Sequence, residues 1–314
     1  MALERGPTVL ALRALGLGDL VTAVPALRAL SRAYPTHRLV VAAPAPLAPI
    51  AQLAGWRLEP VGELEPLADS CRGVDVAVNL HGRGPQSHRL VRDLRAGRVV
   101  WFENDQVPES SGSPAWAPHE HEVRRWCRLL CEEGIPATPT DLSLDPPPGP
   151  PPRQSADATL IHPGAASAAR RWPADHFAAV ARSEVAAGRQ VVITGSRDEV
   201  PLALKVAARA GLPAEAVLAG LTDLEGLARV VAGAGRVVCG DTGIAHLATA
   251  FGIPSLLLFG PTSPAEWGPL TGAPKHRVLW AGSTGDPHDD EPDPGLLKIG
   301  VGRVLDEMQQ LGAA

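Results

Sequence analysis

Residues 8–33 read TVLALRALGLGDLVTAVPALRALSRA, and this stretch decides the fold class. A short apolar run at 8–12 is followed by a loop with two glycines and Asp19, and then by a helical pattern over 20–33. A strand, a glycine loop and a helix in this order are typical of the first unit of an α/β domain.

The same alternation continues along the chain. Further strands are predicted at 38–43, 74–80, 98–102, 158–162, 190–194, 216–218, 236–239 and 255–259. Helices are predicted at 120–134, 174–187, 200–210, 244–251 and 301–311. A polar loop at 282–294 precedes the last of these helices. Because parallel neighbours need crossover connections, strands separated by helices predict parallel sheets that are covered on both faces.

A proline-rich segment divides this series. Residues 136–152 contain eight prolines, which no helix interior or central strand tolerates. We therefore predict an N-terminal Rossmann-like domain at 1–145, a linker at 146–153, a second such domain at 154–295 and a closing helix at 296–314. Two domains of this kind predict a cleft in which ligands bind.

The composition excludes several classes of protein. A hydrophobic content of 45% with 20% charged residues is enough for full cores, which excludes a disordered chain. The formal net charge of −5 provides no basic stripe and argues against nucleic acid as the main partner. No signal peptide and no run of about 18 apolar residues is present, so we expect a cytoplasmic protein, which is compatible with work beside a membrane.

Two groups of residues have types that bind metals. Cys127 and Cys131 are four apart on a predicted helix, but no further ligands follow at metal spacing, and none of the four cysteines forms a CxxC pair. The loop at 288–291 (HDDE) is more simply explained as solvated. We predict no metal site, no disulfide and no cofactor.

The first glycine loop has two interpretations. It lacks the third glycine of a GxGxxG motif, and Asp19 places a negative charge where a dinucleotide pyrophosphate would lie, so dinucleotide binding is disfavoured. Asp19 could cap the helix at 20–33. It could also act as a general base at the carboxyl edge of the first strand, and the two roles are compatible.

A second loop, Gly240–His246 (GDTGIAH), follows a strand and opens a helix. A helix N-terminus suits a diphosphate, Thr242 adds a hydroxyl, and Gly243 allows close approach. The alternatives are that Asp241 caps the helix and that His246 only packs.

Two further loops carry basic residues. The loop at 162–173 (HPGAASAARRWP) contains Arg170, whose planar guanidinium pairs well with phosphate. The loop at 79–84 (NLHGRG) contains His81 and Arg83 and is the candidate for acceptor binding. Arg83 either meets an anionic acceptor or pairs with a neighbouring residue.

Three segments together resemble one known family: GDLVTAVPALRAL (18–30), PGAASAARRWPADHFAAVA (163–181) and CGDTGIAHLATAFGIPSLLLFGPTSPAEWGP (239–269). Their order and spacing are similar to those of the ADP-heptose:heptosyltransferases, glycosyltransferase family 9. The resemblance implies a GT-B fold, with two Rossmann-like domains that face each other across a cleft, and inverting transfer without a metal.

The resemblance also implies roles for individual residues. Asp19 matches the catalytic base, and Gly18, His81 and Arg83 lie on the acceptor side. The donor-binding residues it implies are Ser167, Arg170, Glu199, Asp241, Thr242, Gly243 and His246. The chain departs from better-studied members at Ala165 and Ala166, where they carry hydroxyls, and at Arg170, where they carry lysine.

The implied partners are a nucleotide-diphosphate sugar, with ADP as the expected nucleotide, and a saccharide or glycoconjugate acceptor. Three other classes compete with this interpretation. They are a sugar-nucleotide epimerase or hydrolase on the same architecture, a non-catalytic sugar-nucleotide-binding protein and, least favoured, a Rossmann oxidoreductase.

Overall fold

The computed structural model describes residues 6–270 and 275–311. The chain divides into two compact units, the first ending at Leu142 and the second beginning at Ser143. The proline-rich segment at 146–153 thus falls within the second unit, and the finer division into linker and closing helix stays a prediction.

The first unit contains a five-stranded parallel sheet. Its strands are β1 (Thr8–Leu12), β2 (Arg38–Ala43), β3 (Arg57–Pro60), β4 (Val76–Asn79) and β5 (Arg98–Val100), in the order β3-β2-β1-β4-β5. Its α-helices are α1 (Leu17–Thr22), α2 (Val24–Ala33), α3 (Ala48–Leu53), α4 (Pro85–Arg92) and α5 (Glu122–Glu132).

The second unit contains a second five-stranded parallel sheet. Its strands are β6 (Thr159–His162), β7 (Val191–Ile193), β8 (Arg236–Gly240), β9 (Ser255–Phe259) and β10 (His276–Trp280), in the order β10-β9-β8-β6-β7. Its α-helices are α6 (Ala174–Ala186), α7 (Val200–Ala210), α8 (Leu224–Ala232), α9 (Gly243–Phe251), α10 (Pro264–Trp267), α11 (Pro294–Leu297) and α12 (Val301–Gln310).

The central strands are buried along their whole length. Every residue of β1 and of β9 is buried, as expected for parallel strands with both faces covered. In the second unit, Val304 and Met308 of α12 lie in the same apolar core as the sheet. The C-terminal helix is therefore part of the core of this unit.

The helices α3, α4, α8, α10 and α11 were not predicted, and three further differences have a physical reason. The helix predicted at 20–33 is two helices that meet at Ala23, because Pro25 near the start of α2 has no N–H to continue the bonding of α1. The strand predicted at 216–218 is a single bridge between Val217 and Ile193. The edge strands β3 and β10 were not predicted, because each mixes charged with apolar residues and lacks the apolar run of a central strand.

Both sheets contain a position where the strand order reverses. In the first unit β1 lies between β2 and β4, and in the second unit β6 lies between β7 and β8. Ligands of open α/β sheets bind beyond the carboxyl ends of the two strands at such a reversal. The loops after β1 and β4, and those after β6 and β8, are therefore where the functional residues are expected.

Buried His276 on β10 makes stability depend on pH. Burial, with a smaller contribution from Lys275, lowers the pKa of His276 from 6.5 to about 4, and its Nδ1 lies 2.9 Å from Ser255 Oγ. The stabilising effect of the neutral ring is present above pH 6.5 and is lost as the pH falls through the folded-state pKa. We expect the thermal unfolding midpoint of His276→Gln to fall less between pH 6.5 and about pH 4 than that of the wild type. His288→Gln, at an exposed histidine, should keep the pH dependence of the wild type. An unaltered pH profile in His276→Gln would refute this assignment.

Candidate active site

The reversal point of the first unit is organised by Arg13, which directly follows β1 and is 1% exposed. Its Nη1 donates to the carbonyl oxygen of Leu80 after β4 at 2.5 Å, and its Nε donates to the main-chain oxygen of Asp19 at 3.0 Å. Its Nη2 donates to Asp19 Oδ1 at 3.1 Å and to Glu122 Oε1 at 2.7 Å. One guanidinium therefore connects the two loops at the strand reversal to the start of α5.

Asp19 is the third residue of α1, and its side chain remains 26% exposed. Gly16 is the N-cap residue, and its N–H donates to Asp19 Oδ2 at 3.2 Å. The prediction that Asp19 is the N-cap of a helix starting at residue 20 was therefore wrong, because the helix begins three residues earlier. The carboxylate is fixed by Gly16 and Arg13 and is still open to solvent.

Glu122 is the buried partner of Arg13. It also accepts hydrogen bonds from Trp126 Nε1 at 2.8 Å and Arg125 Nε at 3.2 Å. Burial opposes ionisation of this carboxyl, but the charge and hydrogen bond of Arg13 prevail and lower its pKa. The Arg13 guanidinium also lies 4.9 Å from the centre of the Trp126 ring, within the range of a cation–π contact.

His81 lies beside this network in the loop after β4. The main-chain N–H of His81 donates to Asn79 Oδ1 at 3.1 Å. Burial, and next the charge of Arg13, lower the pKa of His81, so the ring is neutral at pH 7. Within residues 6–270 and 275–311, its buried Nδ1 has no hydrogen-bond partner. Gly18 of α1 immediately precedes Asp19.

Arg83 lies farther along the same loop and lines a cavity of about 280 Å³. The cavity is lined by Arg83, Glu103, Asn104, Asp105, Ala115, Trp116 and Pro118. Asn104 fixes one wall, because its Nδ2 donates to the carbonyl oxygen of Arg83 at 2.7 Å. Arg83 forms no ion pair with any residue that the structure describes, and its role on the acceptor side stays a prediction.

In the second unit the reversal point brings Arg170 and Asp241 together. Arg170 ends a 3₁₀ turn after β6, Asp241 follows β8, and Arg170 Nη1 lies 3.7 Å from Asp241 Oδ2. Asp241 also accepts a hydrogen bond from Thr262 Oγ1 at 2.6 Å. Gly240 permits this approach, since a Cβ there would lie 2.8 Å from the carbonyl oxygen of Arg170.

The N-terminus of α9 opens beside this pair. Its N-cap residue is Thr242, and no side chain caps the helix. The capping role considered for Asp241 was therefore wrong, because its carboxylate is turned toward Thr262 and Arg170. The first N–H groups of α9, beginning at Gly243, are free of side-chain caps, which is the arrangement that binds anions.

Ser167 and the acidic loop before α11 contact each other. Ser167 Oγ donates to the carbonyl oxygen of Pro287 at 2.5 Å. The main chain of Ala169 donates to that of Asp289 and accepts from that of Asp293, at 3.1 and 3.2 Å. The loop at 282–294 thus supports the turn that carries Arg170, a contact that the sequence analysis did not predict. The side chains of residues 288–291 are exposed, as predicted.

Glu199 and His246 complete the second set of residues. Glu199 Oε2 accepts from the Ser196 N–H at 2.8 Å and lies 3.9 Å from His162 Nε2. Gly164 permits this position, because a Cβ there would lie 2.1 Å from Glu199 Oε1. The ring of His246 packs edge-on against Trp267 with 6.1 Å between centroids, which agrees with the packing interpretation without excluding a ligand.

The sequence analysis missed Arg13 and Glu122. A signal for Arg13 was available, because an arginine directly after a wholly apolar strand lies at the carboxyl edge of a sheet. Glu122 gave no such signal, since nothing in its local sequence indicates a contact with a residue 109 positions away.

Across residues 6–270 and 275–311, no group of three or more His, Cys, Asp or Glu side chains is arranged to hold a metal ion. Cys71, Cys127, Cys131 and Cys239, which all lie in these ranges, are free thiols. None of the helices in the same ranges combines the length and the apolar character needed to cross a bilayer.

Comparison with known proteins identifies the family. Residues 97–291 match the family model described as glycosyltransferase family 9 (heptosyltransferase). Lipooligosaccharide heptosyltransferase 2 of Haemophilus influenzae is 36% identical over 211 residues, which are 60% of this chain and 56% of the relative. Lipopolysaccharide heptosyltransferase 1 of Pseudomonas aeruginosa is 30% identical over 231 residues, which are 68% and 62% of the two chains. These alignments span less than two thirds of the relatives' length.

A solved structure shows the same fold. The E. coli ADP-heptose lipopolysaccharide heptosyltransferase II superposes with a TM-score of 0.78 at 24% identity, covering 97% of this chain and 98% of the other. The predicted α/β class with two parallel sheets, the GT-B fold, is confirmed. The family model covers more than half of the sequence, and the chain therefore belongs to glycosyltransferase family 9, the heptosyltransferase family.

Proposed function

We propose that this protein is an inverting glycosyltransferase that moves a heptose or related sugar from an ADP-linked donor to a hydroxyl group of a saccharide or glycoconjugate. The observation that carries the proposal is the exposed, fixed carboxylate of Asp19 at the strand reversal of the first unit. Membership of glycosyltransferase family 9 supports it, and so does the ADP-heptose named for the similar E. coli enzyme.

The donor diphosphate binds, in this proposal, at the strand reversal of the second unit. The Arg170 guanidinium and the uncapped N-terminus of α9 at Thr242 and Gly243 supply positive charge and N–H donors. Negative charge grows on the diphosphate as the sugar leaves, and these groups stabilise it without a metal ion. Ser167 and Asp241 hold this site in shape, and Glu199 and His246 lie at its edge toward the nucleoside and the sugar.

Asp19 is the general base of the proposed reaction. The acceptor hydroxyl attacks the anomeric carbon from the face opposite the nucleotide, while an Asp19 carboxylate oxygen takes the hydroxyl proton. The bond from the anomeric carbon to the diphosphate oxygen breaks and the nucleoside diphosphate leaves. Attack from the opposite face inverts the anomeric configuration.

Gly18, His81 and Arg83 form the proposed acceptor side. Neutral His81 is partly exposed beside Asp19, and its ring suits a hydrogen bond with a sugar hydroxyl. The cavity beside Arg83 combines an aromatic ring, an amide and charged side chains, the mixture that recognises a polar ring. At about 280 Å³ it accommodates a single sugar ring.

We expect Arg83→Ala to raise the acceptor KM roughly tenfold, which corresponds to the loss of one hydrogen bond to a charged group. The donor KM and the binding of ADP should not change. Arg89→Ala, on exposed α4 outside the cavity, is the matched control. An unchanged acceptor KM in Arg83→Ala would remove Arg83 from the acceptor side.

We propose that the reaction takes place in the cytoplasm, since free thiols fit a reducing compartment. A position beside a membrane is compatible with a glycoconjugate acceptor.

Product analysis tests the proposed function. ADP-heptose is incubated with the protein, with and without a panel of saccharide acceptors, and the sugar products are identified by mass spectrometry and by the anomeric coupling in NMR. Acceptor-dependent release of ADP with an inverted linkage supports a transferase. Free sugar without acceptor dependence indicates a hydrolase, an altered ADP-sugar indicates an epimerase, and binding without turnover indicates a non-catalytic protein.

A further inference from the structure

The arrangement around Arg13 has a feature that general-base chemistry alone does not require. One fully buried guanidinium is shared between two carboxylates, with Nη2 3.1 Å from Asp19 Oδ1 and 2.7 Å from Glu122 Oε1. The first carboxylate is partly exposed, and the side chain of the second is only 10% exposed. A single cation thus connects the candidate base to a carboxylate that substrate does not reach.

The shared guanidinium is held rigidly. Besides the two carboxylates it donates to the carbonyl oxygens of Leu80 and Asp19, and its flat face lies over Trp126. Glu122 is itself fixed by Trp126 and Arg125. The planar fork of arginine can serve several fixed acceptors at once, which a lysine ammonium cannot do in the same geometry.

The buried pair of Arg13 and Glu122 carries charges of opposite sign. Without Glu122, the carboxylate of Asp19 would itself have to offset the buried charge of Arg13, whereas Glu122 supplies a separate negative charge and makes the pair of Arg13 and Glu122 neutral. Burial of a single charge is costly unless a partner offsets it. Glu122 therefore makes it possible for a buried cation to orient Asp19.

We propose that Arg13 and Glu122 are positioning residues for Asp19, in which Glu122 both holds the guanidinium in place and offsets its charge. The proposal rests on the proposed function, since it assumes that Asp19 is the base. His81 after β4 is a further titratable group at this site, and its ring interacts electrostatically with Arg13, Glu63 and Asp19.

Glu122→Gln tests the pair, because glutamine keeps the size of the side chain and removes its charge. Glu184→Gln in the second unit is the matched control. Glu184 is likewise buried, and its carboxylate oxygens accept from Arg189 at 2.7 Å and from Thr159 at 2.5 Å. Both substitutions remove the charge of a buried carboxylate that is bonded to an arginine, Arg13 at 1% side-chain exposure in one case and Arg189 at 35% in the other.

We expect Glu122→Gln to lower kcat on the order of 10²-fold, the typical cost of a catalytic group displaced by about 1 Å. The kcat/KM profile over pH should also change, because the substitution removes a negative charge from the network that contains the candidate base. Glu184→Gln should lose thermal stability yet keep the kcat and the pH profile of the wild type. An unchanged kcat and profile in folded Glu122→Gln, or an equal loss in Glu184→Gln, would overturn the proposal.

Arg13→Lys separates orientation from charge and covers the case in which Glu122→Gln does not fold. Lysine keeps the cation but not the fork, so kcat should fall comparably while the kcat/KM profile over pH stays near that of the wild type. Wild-type kcat in Arg13→Lys would show that the fork is not needed and would contradict the proposal.

A measurement without turnover distinguishes this inference from the proposed function. The Asp19 carboxyl carbon is followed by ¹³C NMR at one fixed pH in wild type, Glu122→Gln and Glu184→Gln, and its signal is assigned by its loss in Asp19→Asn. A chemical shift that changes in Glu122→Gln but not in Glu184→Gln supports the coupling of Glu122 to Asp19 even if no transfer is found. An unchanged chemical shift in Glu122→Gln refutes it even if the enzyme is an active transferase.

Discussion

Asp19→Asn is expected to lower kcat about 10³-fold, since general-base catalysis contributes roughly 10²- to 10⁴-fold. Asparagine has the size of aspartate but does not take a proton from the acceptor hydroxyl. It also disturbs the hydrogen bonds from Gly16 and Arg13, because an amide replaces one of the two acceptor oxygens. Initial rates at saturating donor and acceptor measure the effect.

Asp141→Asn is the matched control for this substitution. Asp141 lies in the same unit, has the same 26% side-chain exposure and is paired with Arg28 and Arg32. It should keep the wild-type kcat, and both variants should bind ADP as the wild type does. A kcat in Asp19→Asn within the range of the control would show that the base lies elsewhere.

Arg170→Ala is expected to raise the Kd for ADP roughly 10- to 150-fold, corresponding to the 1.5–3 kcal/mol typical of a hydrogen bond to a charged group. The physical reason is the loss of a guanidinium that lies at the strand reversal beside the uncapped N-terminus of α9. Isothermal titration calorimetry gives the Kd directly.

Arg170→Lys separates charge from a general disturbance of the loop. The lysine keeps the cation, so most of the affinity should remain, although Ser167 and Asp241 lose the partner that arginine provides. Equal affinity of Arg170→Ala and the wild type would contradict the placement of the diphosphate. Equal losses in both variants would point to damage of the loop rather than loss of charge.

The sequence predicted the class of the fold because strong local signals agreed with one another. The apolar runs of β1, β6, β8 and β9 are typical of buried parallel strands, and helices separate them. The edge strands β3 and β10 mix charged with apolar residues, which is tolerated where one side lacks a neighbouring strand, and this is why they escaped prediction. The edge strands β5 and β7 are mostly apolar and were predicted.

Parts of the candidate site were also predictable. Asp19, Arg170 and the loop at 240–246 follow strands directly, and parallel topology brings the carboxyl ends of neighbouring strands together. The two capping hypotheses failed because a shift of one to three residues in a helix start changes which side chain can reach the free N–H groups. The loops were thus located correctly, and the error lay in which residue begins each helix.

Contacts between distant segments were out of reach. The pairing of Arg13 with Glu122 joins residues 109 positions apart, and the hydrogen bond from Ser167 to Pro287 joins residues 120 apart. Each local sequence is compatible with exposed side chains, and only the folded topology brings the partners together. These contacts decide how the candidate base and the donor loop are held.

The most direct test of the central claim is calorimetric titration of the wild-type protein with ADP, GDP, UDP, dTDP and NADH. The proposed function predicts that ADP binds most tightly and that NADH does not bind, since neither glycine loop is built for a dinucleotide. Binding of NADH alone, or of none of the five, would contradict a nucleotide-sugar site at Arg170 and α9 and with it the proposed transfer reaction.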